Sequence, residues 1–195
     1  MNTLRLIGVA GTAGAGKDTV AAILGKMFGL QNLSSSEALR AITRYLYNID
    51  PAHKPVRDQL YHVGTYIRTA IDPAMLVKLC ILQAQVLQLP GGVITGLRSV
   101  GEAEAIRAAG GIIIGVDADA HLRYKRMFDR ARDADAQKTL EEFLEQDRRE
   151  NRGISDSGPG RGIQAIIEGA DAVILNDGTP EELELEVKNK IGPLL

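Results

Sequence analysis

Seven consecutive residues, Gly11-Thr12-Ala13-Gly14-Ala15-Gly16-Lys17, put glycine at the first, fourth and sixth places and lysine at the last. Glycine lets the backbone curl through conformations closed to other residues, so that successive N–H groups turn inward. Phosphate oxygens are the natural ligands of such a cradle, and Lys17 can reach the β- and γ-phosphates of a nucleotide and neutralise charge during transfer. Asp18 follows, at a place where a hydroxyl residue commonly holds Mg²⁺, and Thr19 comes next. A carboxylate is also a hard oxygen ligand, so Asp18 is the candidate metal residue, acting directly or through water. The competing reading is that Asp18 only complements the positive end of the following helix, with Thr19 as the nearby hydroxyl. Residues 11–19 are therefore the expected binding site for ATP with Mg²⁺.

Phosphoryl transfer brings two anionic groups together, and arginine suits the task because it is permanently charged and binds oxygens in pairs. Arg40, Arg68 and Arg98 are the candidates for gripping a phosphorylated acceptor, Arg98 also for the transition state. Arg98 follows a candidate strand, at the end where open α/β sheets bind ligands. Arg123, Arg126 and Arg130, with Arg132 beyond, are spaced by three and four, which puts the first three on one helical face. Arg126 and Arg130 are the catalytic candidates of that group; Asp129, Asp133 and Asp135 offer pairing partners. Residues 147–150 mix charges at helical spacing and read as an exposed face. Residues 158–162 are glycine-rich without a lysine and read as a flexible connection. No general base stands out, although Asp117 and Asp119 are within reach of the crevice; an acceptor phosphate, already ionised, needs none.

These residues require elements to hold them. The apolar run 4–10 suits a buried strand of a parallel sheet, and 18–28 carries apolar residues at helical spacing up to the stop at Gly29. A short second strand falls near 30–33. Ser34 to Ser36 with Glu37 form a helix start, leading through about Tyr47. Helices are expected over 56–70 and 74–89, a strand over 93–95, a helix over 102–109 and a strand over 112–116. Helices at 118–131 and 140–151, a loop over 153–162, a strand over 172–176 and a helix over 180–191 complete the chain. Strands alternating with helices imply a three-layer α/β/α fold around a mostly parallel five-stranded sheet. One domain over 1–195 is expected.

The 195 residues, 45% hydrophobic and 25% charged, are ordinary for a folded α/β protein. A net charge of -2 lacks the excess of a nucleic-acid binder, and 4% aromatic content offers little base stacking. Cys80 is the only cysteine, among apolar neighbours, so it reads as structural and the setting as cytoplasmic. His53, His62 and His121 lack metal-ligand spacing. The N-terminal apolar stretch is too short for a signal peptide. Residues 74–89, interrupted by Lys78, Gln83, Gln85 and Gln88, read as a buried helix and not a membrane span. A monomer or homodimer acting on a small phosphorylated molecule, with neither nucleic acid nor membrane as partner, is the expectation.

At Gly16-Lys17-Asp18-Thr19 the chain resembles the P-loop nucleoside monophosphate kinase superfamily, closest to its deoxynucleoside monophosphate kinase and dephospho-CoA kinase-like branches. Arg57-Asp58-Gln59-Leu60 with Gly64-Thr65, Arg68 and Asp72-Pro73 is similar to that group's acceptor-side helix. Ser34-Ser35-Ser36-Glu37-Ala38-Leu39-Arg40 is similar to the segment whose arginine grips the acceptor monophosphate. Val93-Ile94-Thr95-Gly96-Leu97-Arg98, with Glu102, Glu104 and Gly110-Gly111, looks like its central strand and next helix. The tail from Ala170 to Thr179 resembles the last strand of dephospho-CoA kinases, which implies that Asn176 and Gly178 pass beside adenine. Gly96-Leu97-Arg98-Ser99, residues 147–150 and this tail also resemble an archaeal group of kinase-like P-loop proteins. The resemblance implies ATP- and Mg²⁺-dependent transfer to a (deoxy)nucleoside monophosphate, with acceptor-binding helices at about 34–89 and a small helical lid at about 118–162 whose arginines close over the phosphates. Dephospho-CoA kinase activity, or ATP binding for regulation without transfer, are the alternatives. Many relatives carry an aspartate at the end of the central strand to help hold Mg²⁺; Thr95 and Gly96 stand there in this chain.

Overall fold

The computed structural model describes residues 4–130, 139–151, 154–155, 158–159 and 162–194. Strand β1 (Arg5–Gly11) runs through the middle of a sheet, flanked by β3 (Gly91–Thr95) and β4 (Ile112–Asp117). Strand β2 (Gln31–Ser34) pairs with the outer side of β3, and β7 (Ala172–Leu175) with the outer side of β4. The order is β2-β3-β1-β4-β7 and every pairing is parallel. The sheet is thus wholly parallel, where a mostly parallel one was expected.

The central strands are apolar on both faces because helices cover both. Successive side chains alternate across the sheet. Ile7, Val9, Ile114 and Val116 enter one core with α1 (Lys17–Phe28) and α9 (Pro180–Ile191), through Val20, Leu24, Leu183 and Val187. Leu6, Ala10, Ile94 and Ile113 enter the other with α4 (Met75–Val86), α5 (Val100–Ala108) and α8 (Ile163–Glu168). Cys80 is buried in this second core, as its neighbours foretold. Only one face of α4 is buried, since Leu82 and Val86 are exposed. A third, smaller cluster joins Val63, Ile67 and Leu76 to Leu39 and Ile42, tying α2 (Ser35–Leu46) and α3 (Arg57–Tyr66) to α4. Helices α6 (Ala120–Arg130) and α7 (Leu140–Asn151) meet through the rings of Tyr124 and Phe143. Strands β5 (Ile154–Ser155) and β6 (Gly158–Pro159) pair antiparallel within the segment expected to be a loop.

Boundaries otherwise agree with the sequence reading to within a few residues, with two further differences. The helix expected over 56–70 changes to a π-helical turn at Ile67–Ile71, closed by the Asp72 N–H on the Ile67 carbonyl at 2.9 Å. Helix α8 was not foreseen: with six residues it is too short for periodicity to reveal, although Ile163, Ile166 and Ile167 are all buried. Among the described residues no single helix is long and apolar enough to cross a membrane.

Ile114 is fully enclosed between α1, α9 and the sheet. Ile114→Ala will cost about 2–5 kcal/mol and Ile114→Val about 0.5–1.5, read from urea denaturation midpoints with unchanged slope.

Candidate active site

The glycine turn leaves the carboxyl end of β1 and runs into α1. Gly14 and Gly16 have φ of 80° and 90°, in the left-handed region that glycine alone enters cheaply. Space forbids side chains as firmly as torsion does. A Cβ on Gly14 would stand 2.7 Å from the Arg123 carbonyl oxygen, and one on Gly11 2.7 Å from that of Val116. Helix α1 starts at Lys17 with Gly16 as its N-cap, and no side chain caps it. The first N–H groups of α1 thus lack a side-chain cap and are of the kind a helix start offers to an anion, while within the turn the Ala15 N–H bonds to the Thr12 carbonyl at 3.2 Å. Lys17 is half-buried beside them, while Asp18 and Thr19 are exposed on the first turn.

Inward N–H groups require outward carbonyls, and those need donors. Asn176, just past β7, donates its side-chain amide to the Ala15 carbonyl at 2.8 Å. Arg123 on α6 reaches the Ala13 carbonyl at 3.4 Å and the Ala118 carbonyl at 3.0 Å. Thr12 donates its hydroxyl to Asp117 at 3.5 Å, linking the turn to the end of β4. Arg123 is 5% exposed. Its two terminal nitrogens meet Asp147 of α7 at 2.6 and 2.7 Å, and the Phe143 ring lies 5.7 Å from its guanidinium carbon. Burial opposes its charge, but the hydrogen bonds and charge of Asp147, with Asp117 and Asp119 farther off, outweigh that and raise its pKa. Arg126 approaches the other side of Asn176, 3.4 Å from its oxygen.

Two expectations change here. Arg123, read with the lid arginines, is enclosed beneath the glycine turn, where its guanidinium serves the carbonyls and Asp147. Asp147, read as part of an exposed face, is the buried partner of that guanidinium, its side chain 11% exposed. No local pattern marks the pair, because its members lie 24 residues apart on different helices. Asn176 faces the glycine turn itself, and Gly178 is exposed above Glu182 at the start of α9. The Arg130 side chain and Arg132 lie outside the described residues, as do residues 153, 156, 157, 160 and 161 of the loop expected over 153–162.

The acceptor candidates gather at the carboxyl ends of β2 and β3. Gly96 has φ of 88°, and a Cβ there would stand 2.6 Å from the Ser35 hydroxyl and 2.9 Å from that of Ser36. Ser35 donates to the Gly96 carbonyl at 2.9 Å, locking the start of α2 against the end of β3. A side chain at position 96 would meet both this packing and an unfavourable φ. Arg98 follows, half-buried. Glu102, wholly buried, accepts from the backbone of Arg98 and Ser99 with one oxygen and from Arg68 Nε at 3.1 Å with the other. Arg40 pairs with Glu37 on the exposed face of α2. Sequence reasoning quoted Glu102 only as part of a resemblance; the signal within reach was the Ser99-x-x-Glu102 capping box.

Breaking the Arg123–Asp147 pair leaves one charge buried without its partner. Arg123→Ala will therefore lower stability by about 3–5 kcal/mol in urea titrations, and will weaken ADP affinity because the Ala13 carbonyl loses its donor. Gly14→Ala will weaken ADP binding as well, since its Cβ would press on the Arg123 backbone and Cβ.

The glycine turn, its helix and the five parallel strands recur in known proteins. An AAA domain family matches residues 7–153. A UPF0200 protein of Saccharolobus islandicus is 28% identical over 93% of this chain and 89% of its own. A UPF0200 protein of Thermococcus gammatolerans is 28% identical over 96% and 94%. Among solved structures, TT1252 from Thermus thermophilus superposes with a TM-score of 0.64 at 20% identity, covering 98% of each chain. Shikimate kinase from Acinetobacter baumannii, in complex with shikimate, gives 0.58 at 16% identity over 99% of this chain and 96% of its own. The family model covers most of the chain, and this protein therefore belongs to the AAA domain family.

Proposed function

We propose that this protein transfers the γ-phosphoryl group of ATP to a small phosphorylated acceptor, a (deoxy)nucleoside monophosphate first among candidates. The observation that carries this reading is the glycine turn whose carbonyls are tied outward by Asn176 and Arg123, leaving an uncapped helix start for phosphates. The residues fit a nucleotide: positive φ at Gly14 and Gly16, a lysine at the helix start, and a carboxylate and hydroxyl on its first turn. Mg²⁺, which keeps several waters and takes one or two carboxylates beside phosphate oxygens, would neutralise charge there, with Asp18 as its protein ligand.

In the transfer, an oxygen of the acceptor phosphate forms a bond to the γ-phosphorus. The bond from that phosphorus to the β–γ bridging oxygen breaks, and ADP leaves with the electron pair. An acceptor phosphate is already ionised, so no proton has to be removed. The chain's own work is to position and to neutralise. Lys17 supports the β- and γ-oxygens, and the N–H groups of the turn hold the phosphates. In this reading Arg98, with Arg126 and Arg130, takes the transition-state role. Arg40, Arg68 and Arg98 form the acceptor side, between α2, α3 and the end of β3. Helices α6 and α7 belong to a lid over residues 118–162 that excludes water. A cytoplasmic enzyme working on small metabolites is consistent with this arrangement.

A second reading, ATP binding without transfer, draws on Gly96: its packing against Ser35 and Ser36 closes the end of β3 to a metal-holding aspartate. A dephospho-CoA kinase would instead need a base for its hydroxyl acceptor, and Asp117 is engaged with Thr12 and the Ala118 backbone.

A product-resolved screen with ATP and Mg²⁺, over the common ribo- and deoxynucleoside monophosphates and dephospho-CoA, separates these readings. A nucleoside diphosphate product is expected, lowered at least ~100-fold in Lys17→Ala. Tight ATP binding with no product from any acceptor would favour the regulatory reading. In ADP titrations, Asp18→Asn will require more Mg²⁺ for half-saturation; an unchanged Mg²⁺ dependence rules out Asp18 as the metal residue.

A further inference from the structure

Glu102 occupies an unusual place for a helix-capping carboxylate. Ser99 and Glu102 form a reciprocal capping box at the start of α5: the Glu102 N–H reaches the Ser99 hydroxyl at 3.3 Å, and the Ser99 N–H reaches Glu102 Oε2 at 3.2 Å. Such carboxylates ordinarily project into solvent, but this one is wholly buried. Burial of a carboxylate is tolerated only with donors at both oxygens and an opposing charge. Oε2 takes the N–H groups of Arg98 and Ser99, and Oε1 takes Arg68 Nε.

Arg68 does not arrive there by ordinary helical geometry. It sits in the π-helical turn Ile67–Ile71 that ends α3, and such turns, in which one extra residue is inserted, are frequent at functional sites. Its Nη1 rests on the Gly64 carbonyl at 3.3 Å, and a Cβ on Gly64 would crowd that same nitrogen at 3.0 Å. A second tie joins the same two regions: the Ser99 hydroxyl donates to the Pro73 carbonyl at 3.1 Å. The corner between α3 and α4 is therefore fastened twice to the turn that carries Arg98.

Building on the phosphotransferase reading above, we propose that Glu102 and Arg68 are positioning residues which hold the turn of residues 96–99 so that Arg98 is the guanidinium presented to the acceptor phosphate. Arg68 acts through Glu102. It neutralises the carboxylate, the carboxylate holds the Arg98 and Ser99 amides, and these amides set the path of the chain from which the Arg98 side chain departs. The same resource fixes the gap between β3 and α2, since Gly96 on this turn is locked to Ser35. Nucleotide binding on the far side of β1 does not depend on it.

Two measurements test this. In amide hydrogen exchange, Glu102→Ala and Arg68→Gln should each speed exchange at Arg98 and Ser99 at least tenfold, with residues 11–20 within twofold of wild type. In steady-state kinetics with the acceptor found by the screen, Glu102→Ala should raise the acceptor KM about tenfold with the ATP KM within twofold. The double variant Glu102→Ala/Arg68→Gln should be no worse than Glu102→Ala alone, because Arg68 has no route to the acceptor except through Glu102. A further tenfold loss in the double variant would show Arg68 touching the acceptor itself and overturn the assignment. So would a parallel rise in the ATP KM, or unchanged exchange at Arg98 and Ser99. If Glu102→Ala does not fold, Glu102→Gln takes its place in the cycle, since its amide sets a donor against Arg68 Nε or the two backbone amides. Absence of turnover by wild type on every acceptor would defeat the phosphotransferase reading and the acceptor role of Arg98 with it. The exchange result with Arg68→Gln would then still decide, by its own outcome, whether Glu102 and Arg68 hold the turn.

Discussion

A loop that points its N–H groups at a phosphate must point its carbonyls the other way, and a buried carbonyl without a donor is costly. The rest of the active-site end follows from this requirement. In this protein Arg123 and Asn176 supply donors to the Ala13 and Ala15 carbonyls, and they come from opposite sides, one from α6 and one from the end of β7. Arg123 can be buried there only because Asp147 neutralises it, and Asp147 is available only because α7 packs on α6. The shape of a seven-residue turn near the N-terminus thus depends on residues more than a hundred positions later. The start of α6, at Arg123, is thereby tied to the floor of the turn.

The two sides of β1 are built on the same principle with different parts. Toward β4 and β7, an arginine serves carbonyls and an aspartate serves the arginine. Toward β3 and β2, a glutamate serves backbone amides and an arginine serves the glutamate. In both, a guanidinium–carboxylate pair, most of it withdrawn from water, fixes a stretch of backbone at the carboxyl edge of the sheet. Such pairs add little net stability compared with apolar packing, but they define one geometry, because any other arrangement leaves a charge or a polar group unmatched.

How much of this was written legibly in the chain varies with range. The parallel sheet could be read because strands buried on both faces are apolar throughout, and the glycine turn because torsional demand restricts residue type at Gly14 and Gly16. The cap at Ser34 was legible because a cap is local. What escaped depends on pairing across distance. Arg123 and Arg126 are alike in type and share a helical face, yet one is enclosed under the turn and the other lies against Asn176. Nothing at helical spacing distinguishes them. Asp147 sits among charges of both signs, which is the pattern of a solvated surface, and only the crossing of α6 over α7 buries it. The π-turn at Ile67–Ile71 escaped because hydrophobic spacing over one turn does not separate a 3.6-residue repeat from a slightly wider one. The missing aspartate at the end of β3 was visible as an absence, but the crowding of Gly96 by the Ser35 and Ser36 hydroxyls was not.

Counting arginines therefore overstates the positive charge available to substrates. Arg123 and Arg68 are each matched to a carboxylate that solvent barely reaches or does not reach at all, and a phosphate drawing either away would strand that carboxylate in the interior. Arg40 differs in kind: its partner Glu37 is exposed, and water can replace the guanidinium there at little cost. A phosphate reaching this end of the sheet would draw Arg40 from an exposed partner but Arg68 from a buried one, so Arg40 is released at less cost and Arg68 is held in place.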